Sequence, residues 1–368
     1  MSAEQAPKIT NIEETFHTIV IGGGQAGLAA GYFLKLRKEN FVILDESLHT
    51  GDSWRKRWDS LRLFTPSKFN SLPGASFSKP GDYFPTKNEV ADYLEEYARQ
   101  FNLPVRHGVK VESLSGNDQG YHITAGASSF FTTNVIIATG PYQSPNVPKY
   151  AGGLDPAIFQ LHSSEYRNPE QIQSKSVLIV GAGNSGAEIA IELGKAGKRV
   201  WLAGRDVGRI PLHSPLGKVF NGMLMWWIMR HIFNLNTPIG RRMRANGLNH
   251  GAPLGRAQRQ EIVNSGVELT SRLSGIQSGK PQIEDGRLLP VDGVIWATGF
   301  RPDHHWITLP IFDELGACLH KRGVVRDAPG LYFLGLPFQT GLSSSLLGGV
   351  GPDAAYIVSR IRPMRNPA

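Results

Sequence analysis

Two stretches of this sequence repeat one construction: Thr18-Ile19-Val20-Ile21-Gly22-Gly23-Gly24-Gln25-Ala26-Gly27 and Val177-Leu178-Ile179-Val180-Gly181-Ala182-Gly183-Asn184-Ser185-Gly186. Each has a β-branched apolar run, a Gly-x-Gly-x-x-Gly turn and then a helical pattern, from Leu28 in one copy and Ala187 in the other. A second apolar run follows each, Phe41 to Leu44 and Arg199 to Ala203, which completes a βαβ unit with a right-handed crossover. The expected fold class is α/β, with two Rossmann-like dinucleotide-binding domains.

A single glycine turn of this kind is weak evidence of a ligand, but here both copies have the strand before and the helix after that the mechanism needs. The first glycine permits the tight turn, the second lets the backbone approach a pyrophosphate, and the third lets helix and strand pack closely. The helix N-terminus then offers free N–H groups and partial positive charge to the phosphates.

The residues at the end of the second strand separate the two ligands. Asp45 lies 23 positions after Gly22, close to the roughly 20-residue offset at which an acid meets ribose hydroxyls. Such an acid repels a 2′-phosphate, so this half suits FAD or NAD. In the other half the strand ends at Ala203-Gly204-Arg205 with no acid, and a guanidinium there suits the 2′-phosphate of NADPH. A flavin site beside a nicotinamide site implies hydride transfer between them.

Working outward, Val135-Ile136-Ile137-Ala138-Thr139-Gly140 and Val294-Ile295-Trp296-Ala297-Thr298-Gly299 look alike, each downstream of one glycine turn as if closing its half. Pro141, Pro145 and Pro148 suit a stiff connection. Leu331 to Gly335 reads as a buried strand returning to the first domain, with a last helix through Asp353 to Val358. The expected organisation is an FAD-binding part over 1–162, an inserted NADPH-binding domain over 163–297 with an apolar cap at 216–250, and an FAD-domain return over 298–368.

Composition excludes other classes. The 368 residues are 40% hydrophobic and 19% charged, ordinary globular values. The net charge of +8 is read as a field favouring anionic ligands such as dinucleotides, because the basic residues look scattered and no long Lys/Arg block occurs. Nucleic acid is not expected as a partner. One cysteine, Cys318, rules out an internal disulfide or a Cys-x-x-Cys dithiol. Met1 to Phe16 has neither an export nor a transit pattern, and no apolar run reaches bilayer length. A cytoplasmic protein is expected, with peripheral membrane contact and a homodimer left open.

The motifs carry a family resemblance. In order along the chain they are the first glycine turn; Gly51-Asp52-Ser53-Trp54-Arg55 with Leu61-Arg62-Leu63-Phe64-Thr65-Pro66; Ala138-Thr139-Gly140 with Pro145 and Pro148; Leu161-His162-Ser163-Ser164-Glu165-Tyr166; the second glycine turn; and Ala297-Thr298-Gly299-Phe300. Together they resemble the flavin-containing monooxygenases of the class B flavoprotein group, more closely the short bacterial and YUCCA-like members. The resemblance implies FAD at Gly22, Gly24, Gln25, Ala26, Gly27, Asp45, Glu46, Ser53 and Trp54, with further contacts at Val111, Ala138 and Thr139. It implies NADPH at Gly181, Gly183, Asn184, Ser185, Gly186 and Arg205, with Thr298 and Gly299 completing the cofactor-binding set.

In such enzymes the flavin carries the chemistry as a C4a-(hydro)peroxyflavin, so no catalytic side-chain set is expected, and no metal. The expected activity is NADPH-dependent oxygenation of a small nitrogen- or sulfur-containing, or other apolar, substrate by dioxygen. The alternatives are an NAD(P)H oxidase or reductase without oxygen insertion, and Baeyer–Villiger oxygenation of ketones. Departures bear on that choice. The family fingerprint around Phe159 and His162 is shortened and lacks its glycine, and Tyr166 stands where the Baeyer–Villiger version has Trp, which ranks ketone oxygenation lower. Phe64 stands where many animal and yeast relatives have an asparagine beside the flavin ring.

Other residues have plain readings. His162 reads as a linker histidine rather than a general base. His304 and His305, being adjacent, point apart and suit no metal. Trp54 and Trp58 could frame a flavin or fill a core. Leu216 to Leu235, with Met223-Leu224-Met225-Trp226-Trp227-Ile228-Met229, is apolar on nearly every helical side. It reads as a buried cap on the NADPH domain, with a substrate channel at Trp227 or a monotopic contact with anionic lipid as alternatives.

Overall fold

The computed structural model describes residues 13–208, 222–247, 254–314 and 316–361, with the side chains of 245–247 left aside. The outer parts of the expected cap, 216–221 and 248–250, lie outside the described residues, as do 1–12 and 362–368.

The first unit begins with β1 (Glu14–Ile21), α1 (Gln25–Leu36) and β2 (Phe41–Leu44). Short α2 (Asp52–Arg55) and α3 (Lys87–Gln100) follow, then β3 (Val105–Arg106), β4 (Ser113–Gly116), β5 (Tyr121–Ala125) and β6 (Ser128–Ile137). The parallel strands run in the order β6-β1-β2-β3, with β4 and β5 forming an antiparallel extension of β6.

Buried on both faces, the central strands read as continuous apolar runs, and the pleat sends successive side chains to opposite cores. Val20, Ile43 and Ile136 join the helix-packed core of α1 and α3. Ile19, Ile21, Val42, Leu44, Val135 and Ile137 join the opposite one. Each such burial contributes about 1.5–3 kcal/mol, and slipping one strand by one residue would exchange the two sets.

The chain crosses through β7 (Ser144–Pro145) to a second sheet of β8 (Phe159–His162), β9 (Ser176–Val180), β10 (Arg199–Ala203), β11 (Val267–Thr270) and β14 (Gly293–Trp296). All its strands are parallel, in the order β11-β10-β9-β14-β8, with α4 (Asn184–Lys195) as the first crossover. Between β10 and β11 lie α5 (Met223–His231), α6 (Pro238–Gly247) and α7 (Arg259–Asn264). A hairpin of β12 (Leu273–Gln277) and β13 (Lys280–Ile283) precedes β14.

The boundary expected at Ser163 is corrected by this topology. Phe159–His162 is an edge strand of the second sheet, paired with Gly293–Trp296, so the second unit starts before it.

Return to the first sheet runs through β15 (Phe300–Arg301), which pairs antiparallel with β7, so outgoing and incoming connections form one ribbon. Then β16 (His320–Lys321), β17 (Val324–Val325) and β18 (Leu331–Phe333) extend the first sheet, β18 lying parallel to β6. The last helix, α8 (Gly351–Arg360), packs Ala354, Ile357 and Val358 into the core that holds α1. The second dinucleotide-binding unit is thus inserted into the first.

Candidate functional site

Both glycine turns close the same way. Gly22 has φ +106° and Gly181 φ +112°, a region that excludes side chains. A Cβ on Gly22 would lie 2.6 Å from the Ala138 carbonyl oxygen, and one on Gly181 2.3 Å from that of Ala297. The closing segments predicted from sequence are therefore set directly against the turns. The third glycines are fixed by their own turns: a Cβ on Gly27 would stand 1.9 Å from the Gly22 oxygen, and on Gly186 1.8 Å from the Gly181 oxygen.

The middle glycines differ. Gly24 and Gly183 have φ of −77° and −75°, which any residue adopts, and a Cβ on either meets nothing within 4 Å. The described chain gives no reason for glycine at these positions, and the backbone there faces open space.

These positions are the N-caps of α1 and α4. Neither helix has a capping side chain or an acid in its first turn, so the terminal N–H groups and the helix dipole are open to an anion. The contrast is α3, closed by a capping box in which Thr86 and Glu89 satisfy each other's backbone N–H groups. Glu188, one turn into α4, is raised to about 7 because burial outweighs Arg256 at 3.9 Å. A carboxyl held half-neutral there weakens repulsion of an anion at the helix end.

At the end of β2, Asp45 accepts from Gly23 N–H through one oxygen and from Ser47 N–H at 2.7 Å through the other. Glu46 is exposed. At the end of β10, Gly204 is forced by Ala182, whose backbone nitrogen would lie 2.6 Å from a Cβ. Arg205 beyond it is exposed, and no carboxylate pairs with it among the described residues.

The remaining expected residues fall into two groups. Gln25 donates to Ser345 O at 2.8 Å, Ala26 packs under Gly335, and Thr139 accepts from Gln143, all around the first turn. Asn184 Oδ1 accepts from Gly255 N at 2.8 Å, and Ser185 shares its helix start. Thr298 and Gly299 bond Asn146 of the outgoing linker. Val111 packs on the core that holds Ile21 and Leu44, two residues after Val109, whose N–H donates to the Asp45 carbonyl at 2.9 Å. Ser53 is exposed, and its carbonyl accepts from Arg57 Nε at 3.2 Å. Trp54 touches the cores of both units, whereas Trp58 lies inside that of the second with its indole N–H unpartnered among the described residues.

His162 is buried; its Nε2 lies 3.0 Å from the Gly299 carbonyl and its Nδ1 accepts from Ser164 N at 3.2 Å. A carbonyl can only accept, so the proton sits on Nε2 and the ring is neutral. Burial lowers its pKa, with Gly299 and Glu165 opposing. It orders the junction between the units. His304 lies beside Phe312 and Phe333, and His305 pairs with Asp303.

Arg57 is a residue the sequence reading missed. Its guanidinium lies 5.6 Å from the Tyr142 ring, just before β7, and 5.5 Å from the Phe300 ring on β15. Burial lowers its pKa. The signal is an aromatic within two residues of each Thr-Gly, Tyr142 and Phe300, and it acquires meaning only once the two strands are paired.

The expected burial of the cap on the second domain is corrected. Trp226 stacks on Phe69 of the first unit at 5.0 Å, and Phe233 and Leu235 exchange backbone bonds with Leu342 and Thr340. The excursion therefore clasps the two units together. Phe64, Thr65, Pro66, Phe69, Met225, Trp226 and Met229 line a small apolar pocket of about 10 Å³ under it. Trp227, the channel residue of the alternative reading, is 51% exposed on the other side of the helix.

Two models of the pyridine nucleotide-disulphide oxidoreductase family match this sequence, over residues 19–213 and 125–330. An uncharacterized CzcO-like oxidoreductase of Geobacillus kaustophilus is 39% identical, covering 93% of this chain and 97% of its own. The probable indole-3-pyruvate monooxygenase YUCCA7 of Arabidopsis thaliana is 26% identical over 93% of this chain and 86% of its own. Among solved structures, a flavin-containing monooxygenase from Stenotrophomonas maltophilia is similar with TM-score 0.73 and 26% identity, over 95% of this chain and 98% of that one.

Proposed function

Since the chain belongs to the pyridine nucleotide-disulphide oxidoreductase family and, within it, to the flavin-containing monooxygenases, we propose that it uses NADPH and dioxygen to place one oxygen atom on a small apolar amine or sulfide. The enzyme is a flavoprotein monooxygenase with FAD and a nicotinamide nucleotide as cofactors. In the proposed reaction NADPH, a proton and dioxygen convert substrate into its oxide, NADP+ and water.

The residues fit both groups, and the observation that carries the reading is the pair of middle glycines, whose open space is the room a pyrophosphate needs. We assign FAD to the first turn. There Gly22, Gly24 and Gly27 shape the loop, the N–H groups at Gln25 and Ala26 face the phosphates, and Asp45 keeps lone pairs for ribose hydroxyls. We assign NADPH to Gly181, Gly183, Asn184, Ser185 and Gly186, with Arg205 taking the 2′-phosphate. A flavin held there would supply the redox chemistry, the relay of electrons from nicotinamide to dioxygen.

The chain's own part is to bind, orient and exclude water. The clasp of α5 sets Phe64, Phe69 and Trp226 around a gap of about 10 Å³, room for about one water, so only the apolar character of these walls supports an apolar substrate. Cys318 supports no thiol chemistry, since burial raises its pKa to about 12. The cytoplasm, where NADPH is supplied, is the compartment this reading needs.

Purified protein should be yellow and, under 18O2 gas with NADPH, incorporate one labelled atom into a sulfide or tertiary amine. Label drawn from water would end the proposal. One observation favours a second reading, an NADPH oxidase. The pocket presents Phe64 rather than an amide, and Asn70 spends its amide protons on the Thr65 and Pro66 carbonyls at 2.8 and 3.1 Å. Hydrogen peroxide equal to NADPH consumed, with every amine, sulfide and ketone tried, would select it.

A further inference from the structure

The positive charge, expected from sequence to be scattered, is instead concentrated in one segment. Between Val207 and Gln260 stand eight Lys and Arg and no Asp or Glu. With 39 basic and 31 acidic residues in all, the rest of the chain balances at 31 of each, so this one segment carries the whole net charge of +8. Arg256 and Arg259 face Glu188 and Asp206, whereas Arg230, Arg241, Arg242 and Arg244 pair with no carboxylate among the described residues.

The same excursion exposes apolar side chains. On α5, Met225, Trp226 and Met229 face inward, and Met223, Leu224 and Trp227 project outward at 60%, 45% and 51% exposure. Ile239 on α6 adds another at 54%. Spacings of three and four residues put Arg230 and His231 on the outward face with Trp227, whose ring stacks on His231 at 5.1 Å. Isolated exposed apolar residues mean little, but a cluster rimmed by uncompensated cations needs a partner with both an apolar phase and negative charge.

We propose that the outward face of α5 and α6 docks on an anionic lipid surface, seating Met223, Leu224, Trp227 and Ile239 at the acyl boundary while the arginines meet lipid phosphates. An anionic bilayer supplies both requirements, and an indole suits its interface. A nucleic acid supplies phosphates but no apolar phase for Met223, Leu224 and Ile239. The contact is peripheral, because among the described residues no helix is long and apolar enough to cross a membrane. The inward face of the same helix roofs the apolar pocket, so docking sets that pocket one helix away from lipid. The inference stands apart from the proposed reaction, since binding is measured without turnover.

The test is sedimentation of the FAD-loaded protein with vesicles of phosphatidylcholine alone or mixed with phosphatidylglycerol. We expect binding at least about tenfold tighter to the anionic vesicles, weakening as salt rises. Arg241→Glu with Arg242→Glu should reduce it on the order of 30-fold or more, at roughly fivefold for each charge removed. Trp227→Asp should weaken binding even at low salt, and Lys280→Glu, outside the segment, should leave it unchanged. All variants are on exposed residues, and retained flavin content reports their folding. Equal binding to both vesicle types, no binding to either, or anionic binding indifferent to the arginine reversals would overturn the proposal. So would a short DNA duplex that binds more tightly than the vesicles and displaces them.

Discussion

The two glycine turns are built to one plan, yet the space between turn and second strand is filled from opposite sides. In the first unit the turn residue is Gly23 and the strand ends in a side chain, Asp45, whose oxygen would stand 2.9 Å from a Cβ on Gly23. In the second the turn residue carries the side chain, Ala182, and the strand ends in Gly204, where a Cβ would meet the Ala182 backbone nitrogen at 2.6 Å and its Cβ at 2.7 Å. In each pair only one residue is larger than glycine. The phosphate cradle is thus common to both units, while the ligand's ribose end is specified by which side keeps its side chain. An acid at Asp45 accepts hydroxyls, and a bare Gly204 leaves Arg205 to meet a phosphate.

The largest effects should separate the glycines that hold the fold from those that admit a ligand. Gly27→Ala and Gly186→Ala place a methyl within 2 Å of a backbone oxygen, and each should cost several kcal/mol, on the order of 3–5, seen as loss of soluble protein or a large fall in Tm. Gly24→Ala and Gly183→Ala meet nothing, so the cofactor-free proteins should melt within a few degrees of the parent. Yet Gly24→Ala should purify nearly colourless, and Gly183→Ala should stay yellow with KM for NADPH raised about 100-fold, the loss of a charge-assisted contact or two. Flavin retained by Gly24→Ala would break the comparison, and flavin lost from Gly183→Ala instead would reverse the assignment.

A second experiment sharpens it. Arg205→Ala should lower kcat/KM for NADPH by about 10–100-fold with little change for NADH. Installing the acid by Gly204→Asp alone should destabilise the second unit, because Ala182 occupies the space. Adding Ala182→Gly removes the side-chain contact at 2.7 Å but leaves the backbone nitrogen at 2.6 Å, so it should recover part of the lost Tm and, with Arg205→Ala, shift preference towards NADH. If Gly204→Asp is tolerated without Ala182→Gly, the two units do not share that volume.

Most of this plan was legible because strand–glycine–helix spacing is local, and the sheets' alternation between cores follows from a period that survives in Ile19 to Ile21 and Val177 to Val180. What escaped depends on distant partners. From sequence Phe159–His162 falls at the end of the first unit, because an edge strand is covered on fewer sides and need not be apolar throughout; only its pairing with Gly293–Trp296 reveals it. Arg57 needs Tyr142 and Phe300 brought together. The exchange between Gly23 and Ala182 is invisible until Asp45 and Gly204 are seen to take equivalent places after Leu44 and Ala203. The excursion misled for another reason: a helix apolar on every side predicts burial, and α5 is instead buried on one side and open on the other.

The smallest expected effect concerns the closing turns, where the units again differ. Thr139 beside Gly140 is held by Gln143, an amide that does not titrate, whereas the Gly299 carbonyl is held by His162, which does. Burial lowers the His162 pKa below its usual 6.5, so the folded protein binds the proton less readily than the unfolded chain. The stability this contributes is present above pH 6.5 and is lost as pH falls below that value through the folded pKa. His320, lowered to about 4 by burial and Arg244, acts in the same direction, so the wild-type acid limb reports several groups at once. His162→Gln, which keeps a donor for Gly299 but no titration, isolates the share of His162. It should cost about 1 kcal/mol or less at pH 8, and the gap from wild type should shrink on passing from pH 7 to pH 5. A gap that stays constant across that range would mean the junction does not feel the protonation of this ring.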